Sequence, residues 1–242
     1  MTPKKTLTTT YPENLNATES IAACARIYWF TAAFSMIFML FLLPGCSALP
    51  DKPQRASMYD FGPGNLTAQP ANRLAPLSPI AIDDITTSGG ALDNMAVLYR
   101  LAYQDAQLLR PYTLARWSMP PAQLVRQRLR DQLSQRRTVF NAREGLALNR
   151  GQNPVLPLQL RLELQEFSHF FSTPAASAGL IRLRATLVEV TPAGEKLVGQ
   201  RSVAVQRPAP SSDAPGGVRA LTAATDAAIE EIERWLQQMP GR

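Results

Sequence analysis

The chain has 242 residues, with 25 basic side chains against 19 acidic ones for a net charge of +6, two cysteines and one histidine. That length supports one domain with a real core. The charges are interspersed rather than blocked, which argues against nucleic acid as a partner, and one histidine without cysteine neighbours excludes an ordinary zinc site.

The first 45 residues are read apart from the fold. Lys4, Lys5 and Arg26 precede an uncharged apolar run, Ile27 to Leu43, which Pro44 and Gly45 break immediately before Cys46. A basic start, an apolar stretch and a small residue at the cut make a secretory signal. Leu43-Pro44-Gly45-Cys46 resembles the lipobox of bacterial lipoproteins. The run is also just long enough to span a bilayer, so an uncleaved inner-membrane anchor is the competing reading. Cysteine usage favours the lipoprotein. Cys24 lies in the leader, so the mature chain owns only Cys46, forms no disulfide, and has that thiol consumed by a lipid. The organisation is then a signal peptide with lipobox over 1–45, a lipidated N-terminus and flexible tether over 46–56, and one domain over 57–242. The expected covalent group is a diacylglyceryl and fatty acyl anchor on Cys46, with no other cofactor. Ser47 rather than Asp follows it, which directs the chain to the periplasmic face of the outer membrane.

Ser57 to Phe61 reads as a first strand stopped by Gly62-Pro63-Gly64, Leu77 to Ile85 as a second, and Met95 to Tyr103 as a third. Pro120 to Arg136 is the first clear helix. Prolines suit its opening turn, and Val125, Leu129 and Leu133 recur at four-residue spacing. Arg126, Arg130 and Arg137 line its other side, as a solvated face or as a binding patch. Leu156, Leu158, Leu160, Leu162 and Leu164 then alternate with polar residues, a period of two that only a strand can use. Pro157 places the start of that strand at a sheet edge. Ile181, Leu183, Ala185 and Leu187 repeat the alternation, and a parity change at Val188 to Val190 implies a bulge. Thr191 to Gly194 turns into a last strand, Lys196 to Gln206. Pro208 to Gly217 reads as a loop, and a closing helix runs from Val218 to Gln238. The expected class is α+β, a single domain: an antiparallel sheet built as a β-meander, with two main helices packed on one face.

No catalytic constellation is visible. His169 stands alone among aromatics at a strand end, and no Gly-x-Ser-x-Gly elbow or Gly-rich phosphate loop is present. Asp83-Asp84 reads as a solvated turn rather than a metal site. The chain is therefore not expected to be an enzyme. Arginine and aromatic residues are concentrated instead in Tyr99-Arg100, Arg110-Pro111-Tyr112 and Arg116-Trp117. Such residues dominate binding hot spots, and equally they staple helix starts to sheets. Arg100, Tyr112, Arg116 and Trp117 are the candidate partner-binding residues.

Leu98-Tyr99-Arg100, Tyr112, Arg116-Trp117 and Pro120-Pro121-Ala122-Gln123-Leu124, with Tyr59-Asp60-Phe61-Gly62 before them, carry a resemblance. The sequence is similar to the ABC-type transport auxiliary lipoproteins. The resemblance implies a lipoprotein of a lipid transport system that docks, or receives lipid from, a periplasm-spanning protein with mammalian-cell-entry (MCE) domains. Through that protein it would work with an ABC permease and ATPase, anchored to the membrane by its lipid, with homo-oligomers open. A structural lipoprotein that assists assembly of an outer-membrane complex is the alternative from another class.

Overall fold

The structure, a computed structural model, describes residues 54–64, 77–142, 144, 156–191 and 193–239. Nine strands and two long helices form in it: β1 (Ser57–Tyr59), β2 (Ile80–Ile82), β3 (Thr86–Thr87), β4 (Ala96–Leu101), β5 (Leu109–Trp117), α1 (Pro121–Leu133), β6 (Val139–Asn141), β7 (Leu158–Phe171), β8 (Ser177–Thr191), β9 (Gly194–Pro208) and α2 (Ala214–Gln238). A short 3-10 turn at Gly90–Leu92 precedes β4.

The alternation of leucines does what its period requires. Leu160, Leu162 and Leu164 of β7 are buried together with Ile181, Leu183, Ala185 and Leu187 of β8 and Val203 of β9. Against them pack Val125, Leu129 and Leu133 of α1, and Leu221, Ala224, Ala228, Ile229 and Ile232 of α2, in one continuous core. Each fully buried Leu or Ile contributes on the order of 1.5–3 kcal/mol relative to exposure.

β7, β8 and β9 form the expected antiparallel meander, and a register shift between Leu187 and Val188 supplies the expected bulge. The rest of the sheet corrects the expectation of a purely antiparallel arrangement. β4, β2 and β3 lie along the other side of β7 and run parallel to it. β6 is parallel to β2, and β1 is parallel to β5. The sheet is mixed because alternation specifies which face a side chain takes, whereas strand direction is fixed by how the intervening chain returns. β7 is consequently interior, flanked on both sides, and Pro157 stands just before its first paired residue rather than on an edge strand.

Three further differences have local causes. The segment Leu109–Trp117, not anticipated as a strand, pairs with β4 in a hairpin whose register shifts between Ala96 and Leu98. That irregularity breaks the alternation that would have revealed it. α2 begins at Ala214, four residues earlier than its apolar stripe indicates. Asp213 caps it by accepting the Gly216 N–H at 2.7 Å, and Pro215 in the first turn loses no hydrogen bond. β7 likewise runs past its leucines to Phe171, because a second register shift, between Leu164 and Glu166, changes its inward positions from even to odd numbers. Phe167, His169 and Phe171 are thereby buried.

Candidate functional site

The arginine-rich aromatic segment lies on the β4–β5 hairpin and its neighbours. Tyr112 on β5 packs at a tilt against Tyr99 on β4 with ring centroids 4.6 Å apart. Its hydroxyl meets Nδ1 of His169 on β7 at 2.9 Å, and His169 packs on Phe171 at 4.3 Å. The first turn of α2 closes this cluster from the helix side. A Cβ added at Gly217 would overlap the His169 ring, so only glycine allows the helix to approach this closely.

Burial pushes the His169 imidazole down to about 4, with the nearby Asp213 charge acting weakly in the opposite sense. Burial also pushes the Tyr112 phenol up, helped by Tyr99 and Asp213. Both groups are therefore neutral near pH 7, in a neutral hydrogen bond. Acid–base catalysis at neutral pH calls for a group that titrates near it, and these two are driven away from that range in opposite directions. The histidine, read as standing among aromatics at a strand end, lies two residues before the end of β7 and packs against Tyr112 and Phe171. Among the described residues no three His, Cys, Asp or Glu side chains are grouped to hold a metal ion.

Arg100 is engaged on both sides of its guanidinium. It holds Glu166 of β7 in a two-pronged ion pair at 3.1 and 3.0 Å, while Nη1 donates to the carbonyls of Ala106 at 3.2 Å and Gln107 at 3.0 Å. It thus ties the hairpin loop to the central strand. Arg116 is exposed and lies beside Met58 of β1. Trp117 departs from its candidate role: it is fully buried between Phe61 and Phe167, each with its ring centroid 5.6 Å away. The helix that follows uses it as an anchor in the core, which answers the open choice between hot spot and staple for this residue. The four candidates do not converge on one surface. Cys46 and the leader lie outside the described residues.

A concave feature does exist elsewhere, beside the basic face of α1. A cleft of about 740 Å³ opens between α1 and the segment through β3. Ile85, Met119, Pro120 and Ala122 give it an apolar side, and Gln123, Arg126 and Arg130 of α1 give it a polar one. Asn141 at the end of β6 accepts from both arginines through its Oδ1, from Arg126 at 2.9 Å. Arg126 also faces Asp84 at 3.4 Å. The arginine row that the sequence left between solvated surface and binding patch therefore lines an open cleft. Arg137 does not join it, since α1 has ended at Leu133. Four-residue spacing was the available signal for Arg126 and Arg130. Asn141 had none, because β6 lies far from α1's arginines in pattern and is too short to show periodicity.

A mixed sheet with two helices, a closed aromatic cluster and an open cleft beside α1 make up a single domain of the α+β class. The family of the ABC-type transport auxiliary lipoprotein component matches residues 59–233. The chain belongs to this family, which is one of transport auxiliary lipoproteins and not of enzymes. No curated protein matches the sequence significantly. A crystal structure of a DUF330-family protein from Xanthomonas campestris is similar, at a TM-score of 0.56 and 17% identity over 75% of this chain and 94% of that one. An uncharacterized protein of known structure follows at 0.52 and 12%, over 76% and 99%. At these identities the likeness concerns the fold. No described helix is long and apolar enough to cross a membrane, and lipoproteins of this kind are envelope-associated.

Proposed function

We propose that this chain is the lipid-anchored subunit of an ABC/MCE intermembrane lipid transport system, held on the periplasmic face of the outer membrane through Cys46. It docks the periplasm-spanning MCE-domain protein, and through it the permease and ATPase, or receives lipid from it. The observation that carries the reading is the family match across residues 59–233. The apolar wall of the cleft and its Arg126 and Arg130, opposite Asp84 and Asp93 in the same lining, suit a polar partner segment or an amphiphile, since guanidinium forks pair with carboxylate and phosphate. With Trp117 in the core and Arg100 tying the hairpin loop to β7, the proposed docking contact falls on Arg126 and Arg130, which line the open cleft.

The test is co-purification from the envelope with a tagged chain. An MCE-domain partner supports the reading. A barrel or secretin in its place supports the assembly role and overturns this one. Arg126→Glu with Arg130→Glu should weaken capture of the MCE partner by the folded protein at least tenfold, about 1.4 kcal/mol.

A further inference from the structure

We infer that the tip of the β4–β5 hairpin, with the β1–β5 edge behind it, rests in the headgroup layer of the bilayer that carries the chain's own lipid anchor. The inference rests on the lipid-anchored reading above and adds the orientation of the domain on the membrane.

Topology supplies the first argument. β1 runs parallel to β5, with Ser57 opposite Ala115 and Tyr59 opposite Trp117. The chain that precedes Ser57 therefore leaves β1 at its end nearer the start of β5, on the side of the hairpin tip. Ala115 back to Leu109 is roughly 20 Å of strand at about 3.3 Å per residue. Cys46 to Ser57 spans at most roughly 40 Å at 3.3–3.6 Å per residue. The lipid reaches the level of the tip with slack to spare.

Chemistry supplies the second. Tyr103 and Leu108 in the tip are 40% and 42% exposed, and Leu114 and Met58 along the edge are 44% and 72% exposed. Apolar side chains with a phenol among them suit the boundary between headgroups and acyl chains. Arg110 and Arg116 are interspersed with them on β5 and can meet anionic headgroups. The acid in the tip, Asp105, is occupied locally by the Gln107 N–H at 2.9 Å. The turn from β7 to β8, at the same end of the sheet, carries no charge over Ser172 to Ala176. The opposite end is of another character. At the β8–β9 turn the exposed Leu197 stands among Glu189, Glu195 and Lys196, with Arg161 paired to Glu195 at 2.5 Å. The orientation also leaves the cleft free, since Thr87 at its wall pairs with Leu164, roughly 23 Å of strand below Phe171 at about 3.3 Å per residue.

The full-length acylated chain is placed in vesicles of phosphatidylethanolamine and phosphatidylglycerol. An environment-sensitive probe sits on Leu108→Cys or, separately, on Lys196→Cys, and a lipid-borne nitroxide quenches it. The expected result is at least twofold quenching at position 108 and none at 196, with Tyr103→Asp and Leu114→Asp reducing the effect at 108. Equal quenching at both positions, or stronger quenching at 196, overturns the orientation. A tip that contacts protein instead stays unquenched in these lipid-only vesicles, which also overturns it. The mass of the same sample reads the anchor independently. Acyl mass present without position-dependent quenching refutes the orientation alone, whereas absent acyl mass refutes the anchor reading and this inference with it.

Discussion

Tyr112 reaches across β4 to meet His169, hydroxyl to Nδ1 at 2.9 Å, two strands away in the same sheet. The contact joins the hairpin to the central strand directly beneath the first turn of α2, so three elements distant in sequence share one polar pair. Removing the hydroxyl in Tyr112→Phe leaves a fully buried imidazole nitrogen without a partner. The expected loss is about 1–3 kcal/mol of unfolding free energy, read from urea titrations. A loss below a few tenths would mean that the pair is not formed.

The same imidazole gives the protein a pH dependence with a definite sign. His169 in the fold is held at about 4, below its ordinary 6.5, so between these values the unfolded chain takes up a proton that the native state refuses. Stability contributed by this group is complete above about 6.5 and is lost as pH falls toward 4, by up to about 3 kcal/mol. His169→Phe should flatten that part of the stability–pH curve. An unchanged slope in the variant would assign the effect to other groups.

Trp117 and Arg100 separate packing from binding. Trp117→Ala empties a fully enclosed indole site between Phe61 and Phe167 and should cost about 3–5 kcal/mol. Arg100→Ala strands Glu166 and two loop carbonyls at a partly exposed position, for about 1–3 kcal/mol once solvent screening is counted. Both variants should melt early while their folded fraction still captures its partner. Normal melting with lost capture would return these residues to the interface.

Phase along β7 is tested by neighbours. Leu160 is fully buried, and Leu160→Asp should cost several kcal/mol, a large part of a total near 5–15. Arg161 lies outward between Glu195 and Asp83, at 2.5 and 3.5 Å. Arg161→Asp loses only solvent-screened surface pairs and should leave melting close to unchanged. Equal thermal shifts for the two variants would contradict the register.

On the proposed lipid-anchored reading, Cys46→Ala removes the thiol that would carry the lipid and should leave the leader attached, seen as a heavier, unlabelled chain in fatty-acid labelling. A wild-type chain that takes up no label, with its leader intact, would remove the lipoprotein reading.

The sequence by itself determined the faces. Leu160, Leu162 and Leu164, the Ile181 to Leu187 series and the α1 and α2 stripes each state which side is buried, because a period of two or 3.6 is a local property of the backbone; Leu156 falls before β7 and Leu158 is half-buried. It also carried the family, through the short runs from Leu98 to Leu124. Strand direction was beyond it. β7 has parallel neighbours in β2, β3 and β4 and an antiparallel one in β8, and nothing in its alternation differs between the two sides. Bulges concealed more, since the shifts at Leu164 and Ala96 broke the periods that would have extended β7 to Phe171 and revealed β5. Only the tertiary structure decided that Trp117 is core, that Arg126 and Arg130 open on a cleft, and that Gly217 exists to admit His169. Burial and close approach are set by what arrives from elsewhere in the chain.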